Sequence, residues 1–77
     1  MDTARENITR EVGSRIRYAR KSRGMSMDEL AQAIYKTRSA ISKYENGQIS
    51  VDIATLYDIA NALKVSIYAV SYTHLRA

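Results

Sequence analysis

The stretch from Thr37 to Gly47, TRSAISKYENG, carries only two large apolar residues, Ile41 and Tyr44, three positions apart. At 100° per residue, Thr37, Ala40, Ile41 and Tyr44 share one side of a helix. Arg38, Ser39, Ser42, Lys43 and Asn46 occupy the other, with Glu45 at the boundary. The outward set joins two long cations to small hydrogen-bonding side chains. Small neighbours let a helix backbone approach a surface closely while the cations reach past them. In a DNA major groove, arginine or lysine donates to guanine O6 and N7, and serine bonds to any base edge. The chemistry on offer is recognition of a polyanion with readable edges. Any exposed helix face is polar, however, so this pattern needs support from its surroundings.

No enzymatic constellation competes with it. The 77 residues contain no Cys and a single histidine, His74, so neither a disulfide framework nor a zinc site is available. No cofactor and no metal is expected. The chain lacks a Gly-rich phosphate loop and a Ser/His/acid set. The adjacent carboxylates Asp28 and Glu29 are explained by helix capping. No apolar run approaches the roughly 18 residues of a membrane span. The N-terminus does not have the charged-then-apolar order of a signal peptide, so a cytoplasmic protein is expected. Lys and Arg number 12 against 8 acids, a net charge of +4. Residues 1–24 hold seven of those cations and three of the acids, whereas the remainder is balanced. A basic cluster suits nucleic acid, an acidic protein or a membrane surface, or is simply a solvated face.

The elements that must position the polar helix are legible from periodicity. Ile8, Val12, Ile16 and Ala19 form one helical stripe, stopped by Gly24. Ser26-Met27-Asp28-Glu29 reads as a capping box opening a second helix, with Leu30, Ala31 and Ile34 inward. Thr37 caps the third, which Asn46-Gly47 terminates. Ser50 or Asp52 caps a fourth, with Ile53, Leu56, Ile59, Ala60 and Leu63 inward, and Ser66 opens a short fifth with Ile67 and Val70. The spacing predicts an all-α, compact five-helix domain over residues 1–70, with 71–77 as a frayed or non-native tail. A capped helix, a turn of three or four residues and a short polar-faced helix make a helix-turn-helix unit.

The segment VGSRIRYARKSRGMSMDELAQAIYKTRSAISKYENGQISVDIATLYDIANALKVSIYAV, Val12 to Val70, resembles the phage-repressor-like (Xre/Cro-type) helix-turn-helix family. The resemblance is carried by Arg15-Ile16-Arg17, Arg20 and Gly24, by Asp28-Glu29-Leu30-Ala31, by Ile41 to Gly47, and by Leu56, Ile59 to Leu63 and Val65-Ser66. It implies that the third helix is a recognition helix. Arg38, Ser39 and Lys43 match base-facing positions, Ser42 a further groove-facing one, and Thr37 a methyl or phosphate contact. Arg20 and Glu45 match an opposite-charge pair that ties the first helix to the end of the third. On the helical wheel alone, Glu45 could equally be a solvated acid tempering Arg38 and Lys43. The helix starts at Ser26 and Thr37 and the Asn46-Gly47 turn would present backbone N–H groups to phosphates, with Arg15, Arg17, Lys21 and Gln48 adding contacts from the flanks. The chain departs from the family pattern at Tyr35 and Lys64, where glycine commonly ends a helix. It also departs at Lys36, Met27 and Val51.

These readings converge on sequence-specific binding of double-stranded DNA by a small transcriptional regulator, expected to be a repressor. A domain this small offers few contacts, so a homodimer on an inverted-repeat operator is expected. Ile67, Tyr68, Val70 and Tyr72 would form the dimer patch, or else Ile67 and Val70 close the core and the tyrosines lie flat on its surface. The alternative is a protein-interaction module, such as an antitoxin or an anti-repressor partner, built on the same fold.

Overall fold

In the computed structural model, which describes residues 3–71, the chain forms five helices. They are α1 (Thr3–Ser22), α2 (Met27–Ala33), α3 (Arg38–Glu45), α4 (Ile53–Leu63) and α5 (Ile67–Val70). Each of the last four begins at a side-chain cap. Ser26 Oγ accepts from the Glu29 N–H at 3.0 Å while the Glu29 carboxylate accepts from the Ser26 N–H at 2.8 Å, completing the capping box. Thr37 Oγ1 accepts from the Ala40 N–H, and Ser66 Oγ from the Tyr68 N–H. At α4 the cap is Asp52, which accepts from the Thr55 hydroxyl at 2.7 Å and the Thr55 N–H at 3.2 Å. Those two donors, the hydroxyl first, hold the Asp52 carboxyl below its ordinary range.

The first four helices all end in one way. A residue at or just after the helix cap turns left-handed, and paired backbone bonds close the last turn. At α3 these are Gly47 N–H to Tyr44 O and Gln48 N–H to Lys43 O; at α1 they are Gly24 to Lys21 and Met25 to Arg20. Tyr35 follows the cap of α2 and Lys64 is itself the cap of α4, each with φ 58°, and Lys36 N–H to Ala31 O and Val65 N–H to Ala60 O complete those turns. An L-residue in this region carries about 1–2 kcal/mol of steric cost that glycine avoids. Tyr35 is 95% exposed, so its ring contributes almost no burial to offset that cost. Tyr35→Gly is therefore expected to stabilise the domain by about 0.5–1 kcal/mol after the entropy of a freer unfolded chain is allowed for. In thermal unfolding this is a rise in Tm of roughly 2–8 °C. A fall in Tm would show that the ring holds the turn.

The five helices close over one core. Ile16, Leu30, Ile41, Ile59, Leu63 and Val70 are sealed from solvent, one or two from each helix. Val12, Ala19, Ala31, Ile34, Tyr44, Leu56 and Ala60 complete it. α1 packs on α3 and α5, and α2 lies across α3. Val70 belongs to the core and Ile67 packs against it, while Tyr68 is exposed. Tyr72 and His74, with the rest of 72–77, lie outside the described residues.

Two residues of the expected core stand outside it. Ile8 is 40% exposed, at the mouth of a groove it shares with Val12, Val51 and Leu56. One turn later, Val12 is the first α1 residue to be enclosed. Ile53, the first residue of α4, is 65% exposed for a similar reason, since the helix meets the core only from Thr55 and Leu56 onward. Thr55 is buried instead, its hydroxyl satisfied by Asp52.

Candidate nucleic-acid interface

α3 is held by three different contacts along its length. Ile41 and Tyr44 bury the apolar seam. Four residues, Ile34 to Thr37, separate α3 from α2, which fixes the angle between the two helices. At its C-terminal end, Glu45 turns inward and forms a two-pronged pair with Arg20. Arg20 Nε donates to Oε2 at 2.7 Å and Nη2 to Oε1 at 3.0 Å. Arg20 Nη1 donates to the Met25 carbonyl at 2.9 Å, so one guanidinium ties α1, the α1–α2 turn and the end of α3 together. Both side chains are buried, and hydrogen bonding to Glu45 raises the Arg20 pKa above its ordinary value against the opposing effect of burial.

The inward turn of Glu45 decides the electrostatics of the outer face. Of the acids nearest in sequence to this face, Glu45 is neutralised by Arg20, while Asp52 and Glu29 are committed to the caps of α4 and α2. Arg38 and Lys43 are exposed, and neither forms an ion pair among the described residues. Ser39 is exposed beside them. Arg38 and Ser39 occupy the first turn of α3, where backbone N–H groups have no partner within the helix and the helix dipole is positive. Ser42 is half-buried, and its hydroxyl accepts from the Asn46 side-chain amide at 3.3 Å, which steadies both at the rim of this face. Thr37 is exposed as the cap of α3, and Ser26 as the cap of α2.

Two expected flank contacts are placed otherwise. The N–H groups of Asn46, Gly47 and Gln48 all donate to carbonyls of α3, so the turn keeps its backbone donors for itself. Gln48 offers an exposed side chain instead. Arg15 forms an ion pair with Glu11 at 2.7 Å and lies with Tyr18, Ser22 and Ala69 along the α1–α5 groove. At 100° per residue it is about 160° around α1 from Gly13, the residue facing α3. The structure does not bring Arg15 to the α3 site.

Gly13 is the site residue that the helical pattern did not single out. A Cβ there would press into the Tyr44 carbonyl oxygen and lie 2.9 Å from the Glu45 carbonyl oxygen. The absence of a side chain is what lets α1 and α3 touch backbone to backbone. The available signal was a glycine in mid-helix, where it costs about 1 kcal/mol unless close packing requires it.

Among the described residues no group of three or more His, Cys, Asp or Glu side chains could hold a metal ion. No described helix is long and apolar enough to cross a membrane.

A capped α2, a four-residue turn and an α3 that presents exposed cations define a helix-turn-helix domain. The chain belongs to the helix-turn-helix family HTH_3, whose model matches residues 16–70. It is 36% identical over 61 residues to a transcriptional regulator in the ATPase CF(0) region of Rhodospirillum rubrum, covering 79% of this chain and 56% of that protein. It is 32% identical over 60 residues to the HTH-type transcriptional regulator SutR of Escherichia coli K12, covering 78% of this chain and 34% of that one. Among solved structures it is similar to the restriction-modification controller protein C.AhdI of Aeromonas hydrophila. That match has a TM-score of 0.80 and 26% identity, over 84% of this chain and 94% of that one. The chain thus spans a little over half the length of the first relative and about a third of the second. The all-α, five-helix expectation agrees with these neighbours.

Proposed function

We propose that this domain binds double-stranded DNA sequence-specifically as a cytoplasmic transcriptional regulator, with α3 lying in the major groove. The observation that carries this reading is the outer face of α3. Arg38, Ser39 and Lys43 stand exposed there with no acid among the described residues paired to either cation, because Glu45 is folded inward onto Arg20. Arg38 and Lys43 would donate to base edges and Ser39 would read a neighbouring one. Ser42 and Asn46, at the rim, and the caps Thr37 and Ser26 would face the sugar-phosphate walls. Repression follows if the site overlaps a promoter. A homodimer on an inverted repeat, with half-sites about 34–36 Å apart, would double a small set of contacts. The kinship with transcriptional regulators favours this reading over a module that binds only protein.

Selection from a randomised duplex pool at near-physiological salt tests it. An inverted repeat should emerge. Arg38→Ala should relax the most constrained base pair by about 1–3 kcal/mol, at least fivefold in discrimination. The combined reversal Arg38→Glu with Lys43→Glu should abolish binding while leaving the helical circular dichroism intact. Recovery of no enriched sequence, with the reversal binding as well as the parent, would rule α3 out as the reader.

A further inference from the structure

We propose that Arg10 and Arg17 form a second row of DNA contacts, phosphate ligands carried by α1 beside the C-terminal end of α3. The proposal rests on the DNA-binding reading above and extends the interface to an element outside the helix-turn-helix. Among the described residues Arg15 is paired with Glu11, Arg20 with Glu45, and Arg23 donates to the Lys64 carbonyl. Arg10 and Arg17 are exposed and make no hydrogen bond or ion pair with any described residue. They are not scattered. Seven residues apart, they lie within about 20° of each other around α1 and about 10 Å apart along it.

Gly13 falls between them on the same face, seated against the Tyr44 and Glu45 carbonyls. At Arg10 the approach is equally direct: a Cβ built on Gly47 would lie 3.1 Å from the Arg10 Cα. The row therefore runs beside the last turn of α3 and the turn after it, where Lys43 and Asn46 emerge. A helix fills most of the major groove's width, so the phosphate walls pass alongside it. The turn's own N–H groups are already bonded to α3, so side-chain cations must hold the wall at this end. A cation near the end of α3 would also favour the helix dipole, but that role affects folding and not the salt dependence of binding.

The test is the slope of log affinity against log salt for a selected duplex and a scrambled one. Each lost phosphate contact lowers the slope by about 0.9. Arg10→Gln with Arg17→Gln should reduce it by nearly 2 and weaken both duplexes by about the same factor, roughly tenfold at physiological salt. Arg10→Lys with Arg17→Lys should keep the slope. Arg23→Gln with Lys64→Gln removes the same charge between α1 and the end of α4 and serves as the reference. A glutamine pair whose slope falls no further than that reference overturns the proposal while leaving the α3 reading intact. A parent domain that binds neither duplex overturns both.

Discussion

Glu45→Ala is expected to destabilise the domain by about 3–5 kcal/mol, because it leaves the Arg20 guanidinium buried without its carboxylate. A chain of 77 residues has a total folding stability on the order of 4–12 kcal/mol, so at least a quarter of the margin would be lost, and all of it at the low end. The size of the effect follows from burial. The Glu45 side chain is 1% exposed and that of Arg20 8%, so water cannot replace the lost partner. Glu45→Gln should cost less, since the amide keeps one acceptor for Arg20. The pair itself is a different quantity. Replacing both residues together, Arg20→Met with Glu45→Leu, should recover most of the loss, because the desolvation of two ions disappears with their attraction. Urea unfolding of the two single variants and the double one measures this as a coupling energy. A Glu45→Ala cost below about 1 kcal/mol, the range of an exposed pair, would mean that the contact is solvated in solution. Because the pair also removes an acid from the outer face of α3, the stable double variant is informative about function. It should keep DNA affinity only if the orientation of α3 survives on apolar packing alone.

That pair marks the boundary of what the sequence makes legible. The caps at Ser26, Thr37 and Ser66 and the apolar stripes are local patterns, fixed by neighbours three or four residues away, and the fold follows them closely. Tyr35 and Lys64 in left-handed turns are local in the same sense, since the positions where glycine usually stands can be identified from helix ends. Arg20 and Glu45 are 25 residues apart, and no periodicity joins them. The family resemblance pointed to the pair, whereas the wheel left Glu45 as either partner or solvated acid. Arg15 shows the reverse failure. With six arginines and one lysine in the first 24 residues, composition does not tell which side of α1 faces α3. Only the close approach at Gly13 orients the helix, and it sends Arg15 to the far side and Arg10 and Arg17 to the near one. Ile53 departs from the expected core because the first residue of a helix can follow the apolar spacing and still stand clear of the core.

Gly13→Ala separates local propensity from packing most sharply. Judged by helix propensity, alanine in mid-helix should stabilise α1 by about 1 kcal/mol. The tertiary contact predicts the opposite sign. The new methyl would meet the carbonyl oxygens of Tyr44 and Glu45 and the Glu45 carbonyl carbon at 3.0 Å, all backbone atoms that no rotamer change can move. The end of α3 must then shift away from α1, carrying Glu45 with it and stretching the 2.7 Å bond to Arg20. Overpacking of this kind costs about 1–3 kcal/mol before any strain in the ion pair is added, so a net loss of about 2 kcal/mol is expected. Thermal unfolding should show Tm falling by roughly 8–16 °C. The loss should be smaller in the Arg20→Met, Glu45→Leu background, where no directional bond resists the shift. A rise in Tm for Gly13→Ala would mean that α1 and α3 stand farther apart in solution than this backbone contact requires. In that case Arg10 and Arg17 would lose the anchor that sets them beside the recognition helix.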